Sequence, residues 1–241
     1  MTDTSAPTVA LVHGAFADSS GWNDVVRQLR VAGVKVQAVS NPLRGIAIDT
    51  AYVTSALRQI PGPVLAVGHS YGGAVITNAA AQVDNVVGLV YVAAFAPDEG
   101  EVLQDIEGDS RDSVLMTALV QLQYPTGQGS QTAVEFEIDP AKFHDAFAAD
   151  VPEEEAAVMA ATQRPVSAFG FTEPNGTPAW KRLPSWAVVA TGDKAAGSDV
   201  VRRMAERAGA TITEVDASHV VMISQPQAVT GVIRQALDSV T

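Results

Sequence analysis

Val64-Leu65-Ala66-Val67-Gly68-His69-Ser70-Tyr71-Gly72-Gly73-Ala74-Val75-Ile76 decides the reading of this chain. A short apolar run, Val64 to Val67, ends in Gly-x-Ser-x-Gly, and a helix-compatible run from Ala74 to Gln82 follows at once. That order of strand, sharp turn and helix is the setting of a nucleophile elbow, in which a serine sits at unfavourable backbone angles with its hydroxyl presented. Gly68 and Gly72 fit the same reading, because a Cβ at either place would collide with the neighbouring strand or helix. Ser70 would also stand at a helix start, where the dipole favours a developing anion. The five-residue pattern recurs by chance, so its surroundings must carry the claim.

Working outward, the flanks repeat one rhythm. Val9 to Val12 reads as a buried strand ending in His13-Gly14-Ala15-Phe16, and a helix follows over about Trp22 to Ala32. Val34 to Val39 is the next strand, then a loop from Asn41 to Gly45 and a helix from about Ile48 to Gln59. Beyond the elbow, Val86 to Ala93 is again continuous and apolar and ends in Phe95-Ala96-Pro97-Asp98. Strand and helix alternate without hairpin signals, which predicts a parallel, doubly wound α/β sheet with its site at the carboxyl ends of the strands. The rhythm breaks from about Pro97 to Pro184, where helical patches (Ser113 to Gln123, Asp139 to Ala149, Pro152 to Gln163) alternate with Gly- and Pro-rich turns. It resumes with strand Ser185 to Ala190, helix Asp199 to Ala208, strand Thr211 to Val215 and a closing helix from about Pro226 to Ser239. The expectation is a core of residues 1–96 and 185–241, with residues 97–184 as an inserted, mainly helical cap that has no sheet strand of its own.

The 241 residues carry 47% hydrophobic and 17% charged side chains, enough to bury one large core. The net charge of −12 makes nucleic acid and anionic membrane surfaces poor partners. With no cysteine there is no disulfide, thiolate metal site or cysteine nucleophile. No apolar run is long enough to span a membrane, and Met1 to Thr8 lacks the basic and apolar parts of a secretory signal, so the expected location is the cytoplasm. No metal or cofactor is expected, and the sequence is compatible with a homodimer.

A serine hydroxyl needs a base within hydrogen-bond reach, itself oriented by a carboxylate. Of four histidines, only His219 follows a late strand, as the order serine, acid, histidine requires. His13 reads as an orienting residue of the loop after the first strand, His69 as packing of the elbow, and His144 as a solvated residue. For the acid, Asp193 follows a buried strand 26 residues before His219; Asp98 is its competitor, and Asp216 sits on a tight turn. An oxyanion needs preorganised backbone donors, for which Tyr71 and Ala15 are the candidates, with Phe16 next in line. His13, Phe16, Phe95 and Met222 are candidates to line a substrate cavity, each with ordinary core packing as its rival reading. Arg44 is left between binding a carboxylate and lying exposed on its loop.

Leu11-Val12-His13-Gly14-Ala15, Gly68-His69-Ser70-Tyr71-Gly72-Gly73, Ala190-Thr191-Gly192-Asp193 and Asp216-Ala217-Ser218-His219 together resemble the α/β-hydrolase superfamily over nearly the whole chain outside the cap. The short His-Gly-Ala loop and the Gly-His-Ser-x-Gly-Gly elbow are similar to the branch of plant methyl esterases, hydroxynitrile lyases and pyrethroid-type esterases. That resemblance implies a catalytic triad of Ser70, Asp193 and His219 and an oxyanion hole from Ala15 and Tyr71. Members often carry Gly three residues before the acid and Pro four after it; Ala190 and Gly197 stand there in this chain. The activity it implies is hydrolysis of a small-molecule carboxylic ester. Lactone opening, perhydrolysis, cyanohydrin cleavage and a ligand-binding receptor are the alternatives. Cyanohydrin lyases of this branch use a cap lysine and a Thr beside the first loop; Ala15-Phe16 offers no Thr, and Lys142 and Lys181 lie in polar stretches.

Overall fold

A computed structural model describes residues 6–240. Of the N-terminal stretch read for its lack of a secretory signal, Met1 to Ser5 lie outside the described residues. In chain order the elements are β1 (Thr8–Val12), α1 (Asn23–Val31), β2 (Val36–Val39), α2 (Ile46–Arg58), β3 (Val64–His69), α3 (Tyr71–Ala79) and β4 (Val86–Val92). Then come α4 (Leu103–Gly108), β5 (Leu119–Pro125), β6 (Thr132–Ile138), α5 (Pro140–Phe147), α6 (Glu153–Thr162), β7 (Val166–Ser167) and α7 (Phe169–Thr172). The chain closes with β8 (Ser185–Ala190), α8 (Ser198–Arg207), β9 (Thr211–Val215), α9 (Val221–Ser224) and α10 (Pro226–Val240).

The main sheet runs β2-β1-β3-β4-β8-β9, and every neighbouring pair is parallel. Parallel strands need crossovers that cover both faces, so central strands become apolar throughout. β3 and β8 are buried at all six of their residues. Leu11, Leu65 and Leu89, on three adjacent strands, are fully buried together with Trp22 and Leu29 from the helical layer. Each such side chain contributes about 1.5–3 kcal/mol of burial free energy. The chain leaves β1 toward β2 on one side and returns to β3 on the other. The loops after β1 and β3 therefore part at a topological switch point, where an open α/β sheet forms its crevice.

Between β4 and β8 the structure corrects one expectation. The segment has a sheet of its own, three antiparallel strands in the order β5-β6-β7. Ser113 to Gln123 is not a helix: a short 3₁₀ turn at Leu115–Thr117 leads into β5. Val120-Gln121-Leu122-Gln123-Tyr124 alternates apolar and polar with a period of two, and β5 pairs with β6 from Leu119↔Ile138 to Pro125↔Thr132. Gly127 and Gly129 take left-handed angles (φ 81° and 61°) in the connecting turn. The expected helices do form as α5 and α6, the first capped by the Asp139 side chain on the Ala141 amide.

Arg44 settles as a clamp between core and inserted segment. Its guanidinium bonds Glu135 of β6 at 2.8 Å and the Pro165 carbonyl at 2.9 Å, and lies 4.4 Å from the Tyr124 ring centre. Among the described residues, no helix is long and apolar enough to cross a membrane.

Candidate active site

Ser70 separates β3 from α3 without belonging to either. Its backbone sits at φ 53°, ψ −125°, a region costing a non-glycine residue on the order of 1–3 kcal/mol. Three bonds hold it there. Its N–H donates to the Val92 carbonyl (3.3 Å), and its own carbonyl accepts from Gly73 (2.9 Å) and Phe95 (3.2 Å). The turn closes only because its glycines admit backbone contact. A Cβ on Gly68 would lie 2.6 Å from the Gly72 carbonyl oxygen, and one on Gly72 would lie 2.5 Å from that of Val12.

The loop after β1 reaches the elbow from the other side of the switch point. A Cβ on Gly14 would stand 2.7 Å from the Ser70 Cβ, so this loop passes directly over the serine. Among the described residues, no protein acceptor takes the amide hydrogen of Ala15 or of Tyr71. Tyr71 opens α3, where first-turn N–H groups lack an intrahelical partner. His13 props the loop: its Nδ1–H donates to the Gly14 carbonyl at 2.9 Å and its Nε2 accepts from the Asn41 amide at 3.1 Å. Burial holds its ring below the usual histidine range, so it is neutral and in one tautomer. His13 therefore has both ring nitrogens engaged within the protein, as an orienting residue of this loop would.

Asp193, in the turn after β8, and His219, after β9, are each 1% exposed. The Asp193 Oδ1 accepts from the Ala195 (2.9 Å) and Ala196 (3.0 Å) amides, which leaves Oδ2 for His219 Nδ1 at 2.8 Å. A carboxylate only accepts, so the imidazole proton is on Nδ1 and Nε2 is the free base. His69 ties this loop to the elbow: its Nε2–H donates to the His219 carbonyl at 3.0 Å, and the two rings lie 4.7 Å apart. Complete burial, with His219 adding to it, keeps His69 well below the usual range and hence neutral. From the inserted segment, the Phe147 ring stands against His219 at 4.9 Å, and Asp150 accepts from the Ser218 hydroxyl.

The other candidate acids fall away. Asp98 forms an ion pair with Lys181 at 2.5 Å, which holds its carboxyl below the usual range, and Asp216 is exposed. Phe16 and Met222 line a cavity of about 50 Å³ with Phe147, Met159, Val220 and Ile223; Asp18, Ser20, Thr162 and Gln163 are among its polar members. Phe16 reaches it from a left-handed backbone (φ 58°) and stacks on Phe171. Phe95 is not part of that lining; it is 3% exposed, and its backbone braces the elbow instead.

Two buried acids were invisible in the sequence. Asp49, at the start of α2, accepts the Tyr71 hydroxyl at 2.7 Å and the Arg44 amide at 2.9 Å. Its burial pushes its carboxyl up, and burial beside it pushes the Tyr71 phenol well up. The residue after the serine is thus anchored to the Arg44 clamp. Glu107 of α4 is the second, 3% exposed.

The sequence pattern of the Alpha/beta hydrolase family matches residues 9–232. A carbendazim hydrolyzing esterase from Nocardioides sp. (strain SG-4G) is 32% identical over 106 residues, 39% of this chain and 44% of that relative, so the match spans less than half of its length. A methylesterase from Arabidopsis superposes with a TM-score of 0.78 at 19% identity, covering 96% of this chain and 99% of the other. A pyrethroid hydrolase from Sphingobium faniae JZ-2 gives 0.75 at 21% identity, covering 96% and 97%. At such identities the two structures establish a shared fold, while the family pattern spans the elbow, the Asp193 turn and the His219 loop alike. With that pattern spanning most of the chain and a six-stranded parallel sheet beneath it, the chain belongs to the Alpha/beta hydrolase family.

Proposed function

We propose that this protein is a cofactor-independent serine esterase acting through Ser70, His219 and Asp193. The observation that carries the reading is the 2.8 Å contact of Asp193 with His219, fully buried and tied to the elbow through His69. In this mechanism His219 Nε2 takes the Ser70 hydroxyl proton as Oγ attacks the ester carbonyl. The Ala15 and Tyr71 amides receive the developing oxyanion. The imidazolium then protonates the departing alkoxide, leaving an acyl-enzyme on Ser70. Water, deprotonated by the same Nε2, attacks the acyl carbon and releases the acid, and the proton returns to Ser70. Asp193 keeps the tautomer and stabilises the imidazolium throughout.

Small, apolar ester substrates are favoured because Phe16, Phe147, Met159 and Met222 wall a cavity beside the site, which Ser70 and His219 themselves do not line. Residues 97–184 serve as the cap that closes it, as the Arg44–Glu135 and Ser218–Asp150 contacts suggest. Hydrolysis is favoured over cyanohydrin cleavage because Lys181 is paired with Asp98 and Lys142 donates to the Thr117 carbonyl. The test is burst release of nitrophenol from p-nitrophenyl acetate. Ser70→Ala should abolish the burst and lower turnover by about 10⁴–10⁶-fold. Retained turnover refutes the reading.

A further inference from the structure

Counting protons around Ser113 brings out an acid with no part in the mechanism above. The Ser113 hydroxyl lies 2.6 Å from the Ala195 carbonyl, which can only accept, so its single hydrogen is spent there. Its oxygen receives the Leu115 amide at 3.3 Å and also meets Glu107 Oε1 at 3.2 Å. With the serine hydrogen committed, the last contact is a hydrogen bond only if Glu107 is the donor. The other carboxyl oxygen, Oε2, is buried with no partner, which suits a neutral acid and not a carboxylate. The amide of that same residue, Ala195, donates to Asp193 Oδ1. Bonds therefore run without a gap from Glu107 through Ser113 and Ala195 to Asp193.

We propose that Glu107 is a protonated positioning residue for Asp193: its carboxyl hydrogen, given to Ser113, holds the Ala195 turn where Asp193 meets His219. The proposal rests on Asp193 being the acid of the triad. Burial, with Asp193's negative charge adding to it, pushes Glu107 up to about 8, so the proton is in place at neutral pH. Among the described residues, Asp193 is the charged group that acts on it. Asp105 and Asp109 on its own helix, Arg111 and Asp112 in the following turn, and Lys194 beside Asp193 are all exposed. Arg111 turns to Asp199, Asp112 to Ser198, and α7 (Phe169–Thr172) offers no titratable side chain. Once ionised, Glu107 would set a second negative charge near Asp193 and leave two acceptors contending for one serine hydrogen.

The experiment is the pH dependence of ester hydrolysis, from about pH 6 to about pH 10, in the wild type and in Glu107→Gln, whose amide keeps a donor but takes no charge. The wild type should show a falling limb centred near 8, with kcat dropping about fivefold and KM moving less than about twofold. Glu107→Gln should lack the limb. The same limb in both proteins, or none in the wild type, overturns the proposal. Carboxyl ¹³C NMR of glutamate-labelled wild type gives a readout independent of turnover and of the variant's folding. A glutamate titrating near 8 supports the proposal, and none titrating above about 6.5 overturns it. Turnover surviving in Ser70→Ala would instead refute the esterase reading and leave the NMR result standing.

Discussion

Glu107 should leave a measurable mark on stability that does not depend on any catalytic role. Its carboxyl is raised from an ordinary 4.5 to about 8 by burial, so between those values the folded chain holds a proton that the unfolded chain has lost. Stability therefore falls as pH rises through this window, because the folded state binds more protons than the unfolded one. Below 4.5 both states are protonated and the group costs nothing; above about 8 both are ionised and the cost is complete. The span, 8 − 4.5 = 3.5 pH units, corresponds to about 5 kcal/mol at about 1.4 kcal/mol per unit. Between pH 5 and pH 8, after allowing for the tails, roughly 3–4 kcal/mol of it should appear. Glu107→Gln has no such proton, and every other titrating group is common to both proteins. Subtracting the two stability curves thus isolates this residue. Urea unfolding followed by the fluorescence of the three tryptophans, at unit pH steps from about 5 to 8, measures the difference. The variant should gain on the wild type steadily as pH rises. Parallel curves would show that Glu107 titrates normally and that its burial is not felt as a charge penalty.

Two further outcomes test the elbow and the triad separately. Gly72→Ala drives a Cβ to 2.5 Å from the Val12 carbonyl, which is backbone and cannot step aside. It should cost about 3 kcal/mol and lower Tm by about 6–12 °C in a thermal melt; an unchanged Tm would mean that the turn and β1 are not in close contact. Asp193→Asn should keep the fold but present an amide N–H to His219 Nδ1, moving the imidazole proton to Nε2. Turnover should fall about 10⁴-fold with an unchanged circular dichroism spectrum; a loss under about tenfold would exclude Asp193 as the orienting acid.

The elbow was legible because everything it needs is local: an apolar strand, glycines where backbone meets backbone, and a helix immediately after. His219 and Asp193 were legible through chain order, since parallel strands bring their carboxyl ends to one edge of the sheet. Strand β5 reads from sequence as part of a helical patch, Ser113 to Gln123, although Val120 to Tyr124 alternates with a period of two. Its apolar residues were also compatible with a helical patch, and only pairing with β6 selects the strand. Phe95 shows the same limit at the site, since an aromatic after a strand can face a ligand or brace the backbone.

The sequence alone determined the doubly wound sheet, the Ser70 turn and the order of the catalytic candidates, because periodicity, glycine placement and crossover topology act within tens of residues. Tertiary structure decided which polar groups are buried and whom they meet. Arg44 finds Glu135 91 positions away, and Ser113 finds Ala195 82 positions away. The charge state of Glu107 and the tautomers of His13 and His219 follow from desolvation and from the acceptor opposite. Both are properties of the space around a group, which the linear chain does not contain.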